Sequence, residues 1–172
     1  MFFLLSYSVT LPNFTLLYLP IILLGVFPLW FGWTGLVGSM IGAFIGGVYV
    51  ENLAPQYAWA EIVVAIIIYG LNWLLIPRNA SEAKSTKHLV ILVGVYALTL
   101  FIGTSYILWQ LSVLGVIPID IAKAFLLPTF AINLPIVTIT CPALLRAVSP
   151  RLKSWGLYAG SFSERRNKNE NA

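Results

Sequence analysis

Hydrophobic and polar positions divide the chain into long apolar runs separated by short polar interruptions, and no charge appears before Glu51. A helix crosses a bilayer in about 20 apolar residues. The first 50 residues are therefore too long for one crossing and must turn. The stretch FPLWFGWTG, residues 27–35, places Pro28, Gly32 and Gly35 among aromatics and predicts that turn. It sets a first span at 14–31 and a second at 33–50. The preceding MFFLLSYSVTLPN, residues 1–13, is too short to cross as a helix, and Pro12 and Asn13 set it apart as an N-terminal apolar segment or outer loop.

ENLAPQY, residues 51–57, reads as a polar loop, and a third span runs from Ala58 to Ile76. PRNASEAKSTKH, residues 77–88, is the clearest loop and precedes a fourth span from Leu89 to Leu111. A turn at LGVIPID, residues 114–120, leads to a fifth span from Ile121 to Val148. Pro128, Pro135 and Pro142 lie inside it and predict a kinked or broken helix, tolerable where neighbours satisfy the freed carbonyls. The fold class is all-α, a polytopic transmembrane helix bundle of about five spans over 14–150. A juxtamembrane tail follows over 151–172 and ends in SERRNKNENA, whose composition predicts disorder. Its first part, RLKSWGLYAGSF, alternates basic and aromatic residues and predicts an anchor to anionic lipid, with docking to a partner as the alternative.

Composition agrees: 59% of the 172 residues are hydrophobic and only 9% charged, against about 25% in soluble domains. The formal net charge of +4 does not point to nucleic acid, because the basic residues sit beside apolar segments. Arg78, Lys84 and Lys87 lie in the 77–88 loop, and Arg146, Arg151, Lys153, Arg165, Arg166 and Lys168 follow or close the last span. Nine of the ten basic residues thus share one side of a five-span arrangement, leaving Lys123 on the other with Glu51, Glu61 and Asp120. The positive-inside rule makes the basic side cytoplasmic, with the N-terminus outside and the C-terminus inside. Trp30, Trp33 and Trp73 would mark the inner interface and Tyr57, Trp59 and Trp109 the outer. The N-terminus shows neither a positive region nor a cleavage pattern of a secretory signal. Cys141 is the sole cysteine and forms no internal disulfide.

The segment GLVGSMIGAFIGG carries Gly35, Gly38, Gly42 and Gly46, with Ser39 and Ala43 beside them. Small residues at this spacing let helices approach closely in lipid, where the hydrophobic effect supplies little association energy. They predict a helix-packing face in the bundle centre.

The stretch LPNFTLLYLPIILLGVFPLWFGWTGLVGSMIGAFIGG resembles the core of the substrate-binding (S) components of energy-coupling factor (ECF) transporters. The resemblance spans about residues 11–150 and rests on the FGWTG turn, the Gly-rich helix and the aromatic outer loop ENLAPQYAW. The family's first helix, with its small-residue docking motif, has no full counterpart. The resemblance implies a cell-membrane protein that binds a small vitamin-like molecule near the outer face. Energy would come from a membrane coupling subunit and cytoplasmic ATPases. By position it implies substrate-binding roles for Asn13, Thr15, Tyr57, Trp59, Glu61, Tyr106, Trp109, Gln110, Asp120 and Lys123, aromatics stacking the ligand and polar groups orienting it.

The residues themselves point the same way more coarsely. Glu61 lies one turn inside the third span, either as an interfacial carboxylate near a helix N-terminus or as a ligand group. Asn133 lies deep in the fifth span and fits an interhelical hydrogen bond. Asp120 and Lys123 stand three apart and fit a simple helical ion pair. His88, the only histidine, fits a solvated loop residue. No metal-ligand cluster, P-loop, HExxH or GxSxG motif is present, so the sequence predicts neither an enzyme nor a metal or cofactor site. The alternative to solute uptake is a membrane sensor or scaffold domain without transport.

Overall fold

The computed structural model describes residues 9–11, 14–17, 21–49, 54–77, 80 and 83–159. It begins with a two-stranded antiparallel hairpin, β1 (Val9–Leu11) and β2 (Phe14–Leu17), in the register Val9↔Leu17, Thr10↔Thr15 and Leu11↔Phe14. The rest is a helical bundle: α1 (Ile21–Phe31), α2 (Trp33–Tyr49), α3 (Pro55–Ala65), a π-helical turn (Ile66–Gly70), α4 (Leu71–Leu75), α5 (Thr86–Val113) and α6 (Ile119–Ser154). Three helical runs are long and apolar enough to cross a membrane: Tyr57–Leu75 with 19 residues, Thr86–Val113 with 28 and Ile119–Ser154 with 36. The architecture is that of a membrane protein.

The first expected span, 14–31, is corrected. Its opening residues form β2, and helix begins only at Ile21. Phe14 and Thr15 favour extended backbone, and Pro20 disfavours helix in the residue before it. The remaining 11 residues of α1 reach about 16 Å at 1.5 Å per residue, short of a hydrocarbon core of about 30 Å. The second expected span matches α2 within a residue.

Gly32 is the whole link between α1 and α2. Its φ of 61° lets one residue reverse the path, while its N–H bonds Pro28 O at 2.9 Å and Leu36 N–H bonds its carbonyl at 3.0 Å. Gly35 then lies hard against α1: a Cβ there would stand 2.2 Å from the Phe27 carbonyl oxygen. Gly42 and Gly46 are also buried, with Ser39 and Ala43. Gly38 is corrected as a packing residue. It is exposed, and a Cβ on it would meet nothing within 4 Å. The buried stripe follows 35, 39, 42 and 46, the helical repeat, which carries residue 38 off that face.

α6 is not broken by its prolines; it runs unbroken through Pro128, Pro135, Pro142 and Pro150. Spacings of seven put the first three close to one face, where Pro128 and Pro135 are exposed and Pro142 is buried. Side chains of Asn133, Thr138 and Thr140 bond carbonyls four residues earlier in the same helix.

α6 packs against α5, α1 and β2; α3 packs against α2 and α5. The main core joins Leu29, Leu36, Tyr69, Leu92, Tyr96 and Leu145. A smaller cluster of Ala58, Leu108, Leu111, Ile117 and Ala122 lies at the α5–α6 turn, where Gly115 takes a φ of 73° to close α5. At the opposite end Arg146 donates to Ala83 O at 2.9 Å, and Ala159 N–H bonds Trp30 O at 2.6 Å, fastening the start of the tail to α1. Trp30 and Trp73 are core residues rather than surface anchors: both are buried, and Trp30 Nε1 donates to buried Ser149 Oγ at 3.1 Å. Trp33, Trp59 and Trp109 are exposed, as an interfacial belt requires.

Candidate functional site

A half-open cavity of about 70 Å³ lies between the α3–π segment, α5 and α6. A water needs roughly 10–15 Å³ on this scale, so the space suits a few waters or a small organic group. Its walls are mainly apolar, from Val64, Ile68, Leu100 and Ile107. Glu61, Tyr69, Thr104, Thr129 and Asn133 also line it. At 1.5 Å per residue, Glu61, Thr104, Thr129 and Asn133 lie about 9 to 21 Å from the helix ends at the start of α3 and the α5–α6 turn. The site is therefore inside the bundle rather than on a loop.

Local structure explains these placements. The π-helical turn spans Ile66–Gly70, and Ile68, Tyr69 and Gly70 are buried. A wider turn of this type re-aims side chains and recurs at functional sites; here Ile68 and Tyr69 both face the cavity. Gly103 gives Ile68 its room, because a Cβ on Gly103 would come within 2.2 Å of Ile68 Cγ1. Across the cavity, Thr129 and Asn133 stand one turn apart on α6, and Asn133 Nδ2 donates to Thr129 O at 2.8 Å. That bond lies within α6, and Asn133 takes part in a further interaction as well.

Thr129 Oγ1 is buried and has no hydrogen-bond partner. Leaving such a group unsatisfied costs about 1–3 kcal/mol, so an orphan hydroxyl facing a cavity marks a place for water or a ligand group. Glu61 is half-buried and the single charged residue among the described lining residues.

The residues singled out by sequence do not converge on one site. Glu61 and Asn133 meet in the cavity. Trp109 and Lys123 line a second, more open pocket with Ser105, Ile119 and Leu126. Tyr106 is half-buried, its ring 6.0 Å from that of Trp109. Gln110 is buried with its Oε1 unpartnered. Tyr57 is half-buried and Trp59 exposed. Asp120 and Lys123 are both exposed, and no ion pair joins them. Asn13 lies outside the described residues, as does the side chain of Thr15, whose backbone belongs to β2. His88 is part of α5 rather than a loop; Ser85 caps its N–H, and its Nδ1 is buried without a partner.

Sequence reasoning missed Thr104, Thr129, Tyr69 and Asn72. Asn72 is a fully buried polar residue that accepts a hydrogen bond from Thr99 Oγ1 at 2.7 Å. An asparagine inside an apolar run was the available signal for it. Threonine gives little signal, because its hydroxyl so often bonds its own helix. Among the described residues no group of three or more His, Cys, Asp or Glu is placed to hold a metal ion. Compared with known proteins, no family model, no curated protein and no solved structure matches this chain.

Proposed function

We propose that the chain is a small-solute binding component of a membrane uptake system, embedded in the cell membrane and dependent on other subunits for energy. The observation that carries this reading is the half-open cavity inside the helical bundle, apolar in its walls and polar at Glu61, Thr104, Thr129 and Asn133. Apolar walls with a few placed polar groups are the usual make-up of a small-molecule site. Polar groups inside a membrane bundle are costly to bury and often mark a functional site.

In this reading the three long helical runs, Tyr57–Leu75, Thr86–Val113 and Ile119–Ser154, traverse the membrane, and α1 and α2 together form a short re-entering pair in place of the two crossings expected from sequence. The end that carries Lys84, Lys87, Arg146, Arg151 and Lys153 faces the cytoplasm. The cavity then lies nearer the outer side. The resemblance to the S components of ECF transporters supplies the partners: a membrane coupling subunit and cytoplasmic ATPases. The protein itself performs no bond chemistry.

Affinity purification from native membranes in mild detergent, with mass spectrometry of retained proteins and small molecules, tests this function. A co-purifying ATPase pair with a coupling subunit, together with a retained solute, is the expected result. A well-folded preparation that retains neither would favour a sensor or scaffold.

A further inference from the structure

We propose that the groove between the last turns of α5 and the first turns of α6 binds one phospholipid molecule, with the Lys123 ammonium on its phosphate and an acyl chain lying along the groove. The inference stands apart from the solute cavity and holds or fails without it.

Small and apolar side chains shape the groove, which measures about 220 Å³. Buried Leu108 and Ala122 form its floor, and the single methyl of Ala122 leaves a depression between the two helices. Leu126, Ile119 and Trp109 line it further out, and Ile119 and Trp109 are exposed. The one hydroxyl in the lining, Ser105 Oγ, donates to Phe101 O of its own helix at 2.7 Å. A hydroxyl has a single donor, so the groove keeps an apolar character along its length.

Its depth suits a lipid. α5 has 28 residues and reaches about 42 Å at 1.5 Å per residue. A bilayer is about 30 Å thick in hydrocarbon and about 40–45 Å with its headgroups. Each end of α5 therefore stands in a headgroup layer about 5–8 Å thick. Trp109 and Lys123 each lie about 6 Å from the helix ends that meet at the α5–α6 turn. Ser105 and Leu126 lie about 10–12 Å from the same ends, at hydrocarbon depth. The groove thus runs from headgroup level into the hydrocarbon.

Charge selects the occupant. Lys123 is exposed and is the single charged residue in the groove lining. Among the described residues no hydrogen bond or ion pair engages its ammonium. Asp120, one turn earlier, is exposed, lies outside the lining and makes no ion pair with it; the first turn of α6 itself favours a carboxylate there. A lysine at this depth lays its stem on apolar surface and holds its head at the polar interface, where the phosphate of a phospholipid lies. An apolar partner helix would cover the Lys123 charge without balancing it. A free phosphate would balance the charge and leave the apolar groove unfilled.

Native mass spectrometry of the delipidated full-length protein, released from detergent micelles, tests the site. The probes are dioleoylphosphatidylglycerol, dioleoylglycerol with the same chains and no phosphate, and inorganic phosphate. The phospholipid should add one tightly held molecule at concentrations where the other two add none. Lys123→Gln should lower the affinity for that molecule about fivefold, the effect of one lysine facing an anionic headgroup. Ser105→Phe, which fills the deep end of the groove, should lower it too, in a protein that melts as wild type. Lys87→Gln, at the opposite end of the bundle, should leave it unchanged. Equal retention of dioleoylglycerol would make the groove a plain apolar surface, and binding of inorganic phosphate alone would make Lys123 a free-anion site; either overturns the proposal. So would an unchanged affinity in Lys123→Gln, or an equal loss in Lys87→Gln.

Discussion

Replacing Gly35 by alanine should be one of the most damaging single-methyl additions in the bundle, and the same change three residues later should be harmless. A Cβ at Gly35 would lie 2.2 Å from Phe27 O and 2.6 Å from Phe27 C. Both are backbone atoms of α1, so no rotamer change relieves the contact. Real Cβ atoms essentially never come closer than 3.0 Å, so α1 and α2 must part by about 0.8 Å. They are joined by Gly32 alone and cannot part freely. Overpacking of this kind costs about 1–3 kcal/mol, offset by up to about 1 kcal/mol of helix propensity gained over glycine. At Gly38 only the propensity gain applies, since nothing lies within 4 Å. Thermal unfolding in mild detergent, followed by size-exclusion fluorescence, reads the difference. At about 2–4 °C per kcal/mol for a chain of this size, Gly35→Ala should melt several degrees below wild type and Gly38→Ala at or slightly above it. Equal melting of the two variants would refute the close approach of α1 to α2.

Other changes probe other joints of the bundle. Gly103→Ala should destabilise by about 1–2 kcal/mol by displacing Ile68, and combined with Ile68→Ala it should cost less than the sum of the two single changes in the same assay. Trp30→Phe and Ser149→Ala each remove one end of a buried hydrogen bond; a double-mutant cycle on unfolding should give a coupling of about 0.5–1.5 kcal/mol. Thr99→Val should cost about 1–3 kcal/mol by leaving Asn72 Oδ1 without its donor beside an Nδ2 already unpartnered. The pair Thr99→Val with Asn72→Leu should recover much of that stability, measured by the same melting curves.

Helix bounds were legible wherever polarity changed sharply. The loop at 77–88, the Gly32 link and the turn at 114–120 all mark transitions that composition announces: α2 begins after Gly32, α5 lies between the loop and the turn, and α6 begins at the turn but runs to Ser154, past the expected end at Val148. The hairpin was not legible, because Phe14–Leu17 is as apolar as the helix that follows and periodicity cannot separate a short strand from a span. The prolines of α6 suggested a kinked or broken helix, and the helix, packed on α5 and α1, is unbroken through them. Glycine spacing identified the α2 face but misplaced Gly38, since a four-residue rule drifts from a repeat of 3.6. Of the cavity, Glu61 and Asn133 were visible as polar residues in apolar runs. Tyr69 and Ile68 were not, because their direction depends on a π-helical turn that only the packed bundle specifies. Thr129 was hidden for another reason: its importance lies in an absent hydrogen bond, which a sequence does not display.

The most direct test of the central claim is an experimental density map of the protein purified from its native membrane and held in lipid nanodiscs. Solute-shaped density bounded by Glu61, Thr104, Thr129 and Asn133 is the predicted result. A collapsed space, with Ile68 and Tyr69 closed onto α6, or a lipid chain lying through it, would contradict the account.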